Sequence, residues 1–344
     1  MKTEIIWMWL LAGVLSWGLT GLLRRYALER SLLDLPNERS SHAVAMPRGG
    51  GLAIVLTCLA GVLFAGWAGM IALNVVWALL GAGALVALVG WLDDHGHVAA
   101  RWRLLAHFLG AMWVLWWLGG LPPLLLLFGA VIDLGWLGHG VGVLYLVWLL
   151  NLYNFMDGID GIAGIEAVTV CFGGGVLYIF SPMANQEWIV PILLLATVLG
   201  FLVWNFPKAR IFMGDAGSGF LGMMLGVLSL QAGWVAPELF WGWLILLGVF
   251  IVDATVTLFR RVQRGDKFYE AHRSHAYQYA SRYYGSHKKV SLAVGFINSL
   301  WLLPVAILVG LGVLDGVIGM VLAYAPLILL AFRYKAGARE LQVG

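Results

Sequence analysis

Apolar residues fill long runs near 5–23, 50–69, 71–91, 103–119, 139–156, 163–181, 188–206, 218–233, 236–258, 291–311 and 313–332. Crossing about 30 Å of hydrocarbon takes roughly 20 such residues in a helix. The pattern predicts an all-α polytopic integral membrane protein of about eleven transmembrane helices. A further run at 121–133 opens on Pro122-Pro123 and is broken by Asp133 and Gly135. It reads as an interfacial or re-entrant piece, not a twelfth span. The first span lacks a basic leader and a following small-residue cleavage site, so it reads as a retained helix.

Composition agrees. Of 344 residues, 61% are apolar and 11% charged, where soluble domains carry about 25% charged residues. Mean hydropathy is +0.88. A soluble domain and a nucleic-acid binder with a charged face are both excluded. Cys58 and Cys171 each sit inside an apolar run and read as small core residues, too few for a disulfide framework.

The charges fix the sidedness. With eleven spans, 20 of the 21 Lys and Arg residues share one side and only Lys2 lies on the other. By the positive-inside rule the basic side is cytoplasmic, the N-terminus outside and the C-terminus inside. A twelfth span would split that set. The opposite loops are short, whereas segments 24–49, 92–102, 157–162, 207–217 and 259–290 are polar. They are expected to form the active site of one transmembrane catalytic domain, residues 1–344.

Thirteen of the 18 acids fall on the basic side or at its membrane edge, where carboxylates are costly and mark function. Asp93-Asp94 closes the third span, and adjacent carboxylates need a cation or a proton; Arg101 and Arg103 follow. In Asn151–Gly161, polar groups recur every third residue. A step of three drifts only about 60° around a helix, so Asn151, Asn154 and Asp157 share a face, and the glycines then turn Asp160 into the loop. Amide and carboxylate oxygens suit a hard cation such as Mg²⁺, with Mn²⁺ as the alternative. Segment Asn205–Gly219 places Lys208, Arg210 and Asp215 before a Gly-rich helix start, where free amides hold phosphate; Asp215 or Ser218 as a simple cap explains less of it. Ala271–Gln278 brings His272, Arg273 and His275, natural phosphate and hydroxyl partners. Asp253 is a weaker candidate, equally read as a structural hydrogen-bond acceptor. His107, His139 and the 18 Trp read as packing and interfacial residues.

At these clusters the chain resembles the polyprenyl-phosphate N-acetylhexosamine-1-phosphate transferases over nearly its whole length. The resemblance is carried by Asp-Leu-Pro-Asn-Glu-Arg-Ser-Ser-His at 34–42 with Pro-Arg-Gly-Gly-Gly at 47–51, by the Asp93-Asp94 pair, by the N-x-x-N-x-x-D-G-x-D-G run at 151–161 and by Phe212–Gly219. Segment His272–Gln278 looks like the O-antigen-initiating branch and departs from the triple-His loop of the peptidoglycan enzyme. The resemblance implies transfer of an N-acetylaminosugar 1-phosphate from a UDP-sugar to undecaprenyl phosphate, releasing UMP, at the cytoplasmic face of a bacterial inner membrane. It implies that Asn154 and Asp215 hold Mg²⁺ and that Asp157 lines the nucleotide-sugar site. It sets Asp160, Asn205 and Phe212 around the uracil and His272, Arg273 and His275 at the sugar and its phosphate. Asp93 and Asp94 would govern the lipid phosphate. The family's Lys after the paired aspartates is missing, so Arg101 or Arg103 would take the pyrophosphate. A homodimer is left open. A transporter for lipid-linked sugars or ions is the main rival reading, disfavoured because the polar residues crowd one face; a CDP-alcohol phosphotransferase ranks lower, since no Ala-Arg follows Asp157-Gly158.

Overall fold

The computed structural model describes residues 2–36, 44–183, 185–266 and 273–339. Each of the eleven apolar runs falls on helix. The helices are α1 (Lys2–Glu29), α2 (Leu52–Trp67), α3 (Leu73–His95), α4 (Ala100–Leu118), α5 (Gly135–Met156), α6 (Ile162–Phe180), α7 (Ile189–Asn205), α8 (Asp215–Val235), α9 (Pro237–Leu246), α10 (Gly248–Gln263), α11 (Ala276–Tyr284), α12 (His287–Ile297), α13 (Leu303–Gly310) and α14 (Gly316–Arg333). Among the described residues seven helices are long and apolar enough to cross a membrane, with α12 through α13 (His287–Gly310) counted as one, and eight if α9 and α10 form one bent span. This is a multi-pass membrane protein. Lipid offers backbone groups no hydrogen bonds, so the chain satisfies them within helices.

Two features depart from the expected pattern. The run at 236–258 is not straight; it bends by 69° between α9 and α10. Between α12 and α13 the helix widens into a π-helical turn at Asn298–Leu302. Residues 121–133 form no helical span. They carry a two-stranded hairpin pairing Leu124 with Ile132 and Leu125 with Val131.

Helix α8 is the axis. Every residue from Ala216 to Gly233 is buried, and α2, α3, α5 and α9 pack around it. Small residues permit that closeness, as in membrane bundles generally. A Cβ on Gly222 would meet Leu150 Cα at 2.7 Å and Tyr153 Cβ at 2.8 Å. Gly51 and Gly217 touch backbone to backbone: a Cβ on Gly51 would lie 2.4 Å from Gly217 Cα. Cys58 and Cys171 are both buried and free.

The contact at Gly222 is testable. Gly222→Ala should destabilise the fold by about 1–3 kcal/mol, because backbone cannot move aside. Gly18→Ala, with nothing within 4 Å of its Cβ, should leave the melting temperature unchanged or raise it. Thermal unfolding in detergent decides; equal melting of Gly222→Ala and the native chain would refute the packing argument.

Candidate active site

The polar segments predicted from the sequence converge at one end of the bundle. The strand-like stretch 47–51 pairs with the start of the α8 segment: Phe212 N donates to Pro47 O (2.8 Å), Gly50 N to Phe212 O (2.9 Å) and Gly51 N to Met213 O (2.8 Å). Gly214 (φ 79°) and Gly161 (φ 76°) sit at the entries of α8 and α6, in backbone conformations that L side chains rarely adopt.

Asp93 and Asp94 diverge, as neighbours about 100° apart on a helix must. Asp94 is buried and turns inward. Its carboxylate accepts from the backbone N–H of Asp215 (3.1 Å) and of Ala216 (3.3 Å), capping α8. Asp93 turns the other way. It accepts from Val98 N at 2.8 Å and pairs with Arg103 Nη1. The same nitrogen lies 3.2 Å from Asp215 Oδ2. One guanidinium thus bridges two carboxylates from α3 and α8. The other oxygen of Asp215 accepts from Asn154 Nδ2 at 2.9 Å, and that nitrogen also donates to Ser218 Oγ at 2.9 Å. Arg103 and Asp215 remain 37% exposed, whereas the Asp93 side chain is 10% exposed, so the open side of the cluster is the Arg103–Asp215 side.

Of the two arginines, Arg103 alone enters this cluster. Arg101 lies over the ring of Trp102, 5.6 Å from its centroid. A cavity of about 40 Å³ opens beside Arg103 and Asp215, lined also by His107, Asn151 and Asn154. His107, expected as packing, therefore belongs to the site wall; its Nδ1 faces the Asn151 amide at 3.5 Å. Asn151 itself donates to Val147 O at 2.7 Å.

Asp157 follows the last residue of α5 as its C-cap, off the helical face expected to carry it with Asn151 and Asn154. Burial pushes its carboxyl well above the usual aspartate range, and the charges of Asp215, Asp94 and Asp160 push the same way. Asp160 follows in the loop, with His287 Nδ1 3.4 Å from its carboxylate. Asn205, expected at the uracil, is buried and bound at both ends of its amide: Oδ1 accepts from Gly161 N and Nδ2 donates to Ile211 O, each at 2.9 Å. It ties two site loops together. Phe212 is part-buried at the edge where 47–50 pairs with it.

The histidine segment divides. His272 lies outside the described residues, as do 37–43 of the first loop. Arg273 begins the segment that leads into α11. His275, expected at the sugar phosphate, is buried, and its Nδ1 faces Asp253 Oδ1 at 3.3 Å. Asp253 also accepts from the N–H groups of Ala276 and Tyr277, both at 2.9 Å. The structural reading of Asp253 is the one realised: it caps α11. That helix presses Tyr277 onto the site loop, its hydroxyl donating to Phe155 O at 3.0 Å, and a Cβ on Gly158 would meet that hydroxyl at 2.2 Å. Ser218, Tyr277, His287 and Ser291 were not predicted. Ser218 and Tyr277 stood in motifs without being singled out; His287 and Ser291 reach the site from a helix that carries no distinguishing local pattern.

The glycosyl transferase family 4 profile matches residues 76–233, the stretch that holds Asp93, Arg103, Asn154, Asp157 and Asp215. The chain is 31% identical to the probable undecaprenyl-phosphate N-acetylglucosaminyl 1-phosphate transferase of Bacillus subtilis, covering 82% of this chain and 79% of the relative. The chain belongs to the polyprenyl-phosphate N-acetylglucosamine-1-phosphate transferase family. It is also 27% identical to the decaprenyl-phosphate N-acetylglucosaminephosphotransferase of Mycobacterium tuberculosis, over 85% of this chain and 79% of that one. With the undecaprenyl-phosphate alpha-N-acetylglucosaminyl 1-phosphate transferase of Yersinia pestis it shares 27% identity, over 96% and 89%. As a member of this family the protein is a phosphotransferase, which sets the transporter reading aside.

The Asp157 environment makes a stability prediction. Its carboxyl titrates higher folded than unfolded, so above the ordinary aspartate range the folded state is penalised, and the penalty vanishes as pH falls through that range. Without divalent cations, Asp157→Asn should melt above the native protein at pH 8. The gap should close as pH approaches about 4. A native protein that melts higher at pH 8 would contradict the assigned environment.

Proposed function

We propose that this phosphotransferase moves an N-acetylaminosugar 1-phosphate from a UDP-sugar to undecaprenyl phosphate. The observation that carries the reading is the convergence of Asp93, Arg103, Asn154 and Asp215 at the N-terminus of α8. There one cation, one amide and two carboxylates stand together at a membrane edge. A lipid-phosphate oxygen attacks the sugar-bearing phosphorus of the diphosphate. The bond from that phosphorus to the bridging oxygen breaks, UMP leaves with the electron pair, and the sugar-diphospho-lipid remains. Phosphoryl transfer asks for positioning and charge neutralisation more than for covalent help.

The donor set suits a hard divalent ion: oxygen ligands, one from a carboxylate and one from an amide. Among the described residues no group of three His, Cys, Asp or Glu side chains converges to hold a metal, so the ion would share its coordination with substrate phosphates. Asp215 and Asn154 would hold Mg²⁺; Mn²⁺ fits the same oxygens. When bound, the ion supplies charge neutralisation on the diphosphate. Arg103 adds its own positive charge there. Asp93 is the member of the pair set toward the cluster, and it would accept whatever proton the lipid phosphate still carries. Asp157 lines the nucleotide-sugar site, and Asp160 and Phe212 bound its uridine end. Arg273 and His272 belong to the sugar side.

Eleven spans, with the N-terminus outside and the site at the cytoplasmic face of a bacterial inner membrane, complete the reading. The basic loops support it. The Ala271–Gln278 segment, without a triple histidine, favours the start of O-antigen or a related envelope polysaccharide over a muramoyl-pentapeptide product.

Purified protein offered undecaprenyl phosphate and a panel of UDP-N-acetylaminosugars should release UMP with at least one of them, dependent on Mg²⁺. No UMP from any donor would sink the assignment. Asp215→Asn should lose about 100-fold or more in turnover while keeping its fold; near-native turnover at low Mg²⁺ would remove Asp215 from the metal. A lipid phosphate has its second pKa near about 6. Asp93→Asn should therefore cost more in kcat/KM at pH 6 than at pH 8. A loss equal at both would leave Asp93 a positioning group.

A further inference from the structure

Helix α12 packs along α6, and one face of α12 and of the π-helical turn that continues it carries three polar side chains. His287, Ser291 and Asn298 are spaced by four and seven residues, the period that stacks side chains on one stripe of a helix. Two of the three meet the same residue. His287 Nδ1 lies 3.4 Å from the backbone nitrogen of Asp160 and 3.4 Å from its carboxylate Oδ1. Ser291 Oγ donates to the Asp160 carbonyl at 2.7 Å. The third anchors the far end: Asn298 Nδ2 donates to Glu166 Oε2 at 2.7 Å and to Thr169 Oγ1 at 2.8 Å. Ser291, Asn298 and Glu166 are all fully buried.

The apolar side chains Val290 and Val294 already seat α12 in the bundle. The polar stripe therefore does something more specific than hold two helices together. Asp160 sits in a loop between two helices, and its main-chain N–H and C=O have no helical partner. One ring nitrogen of His287 meets either the N–H or the carboxylate at a time, and either contact fixes the residue. With Ser291 on the carbonyl, Asp160 is held from α12 at two points whichever contact His287 makes. The following amide, that of Gly161, is held by Asn205.

We infer that His287 and Ser291 are positioning residues for donor recognition. They set the Asp160 carboxylate at the uridine end of the nucleotide-sugar, and the Asn298–Glu166 contact fixes the register of the helix that carries them. This rests on the reading of Asp160 given above. The chemistry is that of an acceptor oxygen held for an N–H of a pyrimidine dione ring. Reach of a few tenths of an ångström decides such a hydrogen bond, so its orientation has to be supplied from outside a loop that ends on glycine.

The test is steady-state kinetics of the full chain in detergent with the UDP-sugar that the panel identifies, undecaprenyl phosphate, and UMP as product inhibitor. His287→Ala and Ser291→Ala should each raise KM for the UDP-sugar about 5-fold, the worth of one hydrogen bond, and raise the Ki of UMP in step. Both kcat and the KM for undecaprenyl phosphate should stay within about 2-fold of native, the scatter of a single near-neutral change. His287→Asn, which restores a nitrogen or oxygen near the Nδ1 position, should recover most of the loss, and it serves if the alanine variant fails to fold. In an Asp160→Asn background, His287→Ala should add nothing further. Equal losses in kcat and in both KM values, with no rescue by His287→Asn, would make the contacts merely structural and overturn the inference. So would an unchanged KM for the UDP-sugar in both alanine variants while Asp160→Asn raises it. If Asp160→Asn itself leaves KM and Ki unchanged, the assignment of Asp160 to the nucleotide falls, and this inference with it.

Discussion

Two carboxylates from helices distant in sequence meet at one guanidinium. Arg103, from the first turn of α4, stands between Asp93 on α3 and Asp215 on α8. Without it, like charges would face each other at the edge of a low-dielectric interior, where repulsion is strong. The bundle depends on this knot because α8 is the element around which the others pack, and its N-terminus must lie where Asp93, Asp94 and Asn154 reach it. Asp94 is compensated differently, by the α8 amides that its carboxylate caps. One acid of the pair thus serves the fold and its neighbour serves the open face. A reactive cluster is assembled without leaving any of its carboxylates wholly uncompensated.

The same logic runs outward. Asn154 joins α5 to Asp215 and Ser218, Asn205 joins the 157–161 loop to the 207–213 loop, and Asp253 with His275 seats α11 against the site. Each is a buried polar group that consumes the hydrogen-bonding capacity of a loop lipid could not satisfy. Polar chemistry at a membrane edge is tolerated here because a second layer of amides and carboxylates faces inward behind it.

Much of this was legible in the chain. The apolar runs located the helices because lipid imposes one length and one kind of backbone pairing. The spacing in Asn151–Gly161 put Asn151 and Asn154 on one face, where they line the same cavity, while Asp157 falls just past the helix end; the adjacency of Asp93 and Asp94 required them to diverge. What could not be read was which of two similar residues does what. Arg101 and Arg103 differ by two positions, and only the tertiary packing of α4 decides which one faces Asp215. Asn205 and His275 have the residue types of ligand-binding groups, yet burial gives their hydrogen bonds to the protein. The 69° bend left no mark either, for no proline stands at Leu247, whereas the π-helical turn at Asn298–Leu302 runs directly into Pro304, which has no N–H for a carbonyl one turn back. His287 and Ser291 lie in an ordinary helix, and only its docking on α6 brings them to Asp160.

The backbone contact of Gly51 with Gly217 has a consequence for how such a chain can change over generations. The two glycines belong to segments far apart in sequence, but neither can accept even a methyl group unless main chain on the other side retreats. Substitutions at either position are therefore not independent trials. The contact constrains the pair as a unit, and drift at this end of the molecule is channelled into side chains that point away from the seam. The seam between the first polar loop and α8 is thereby a fixed reference for the rest of the site.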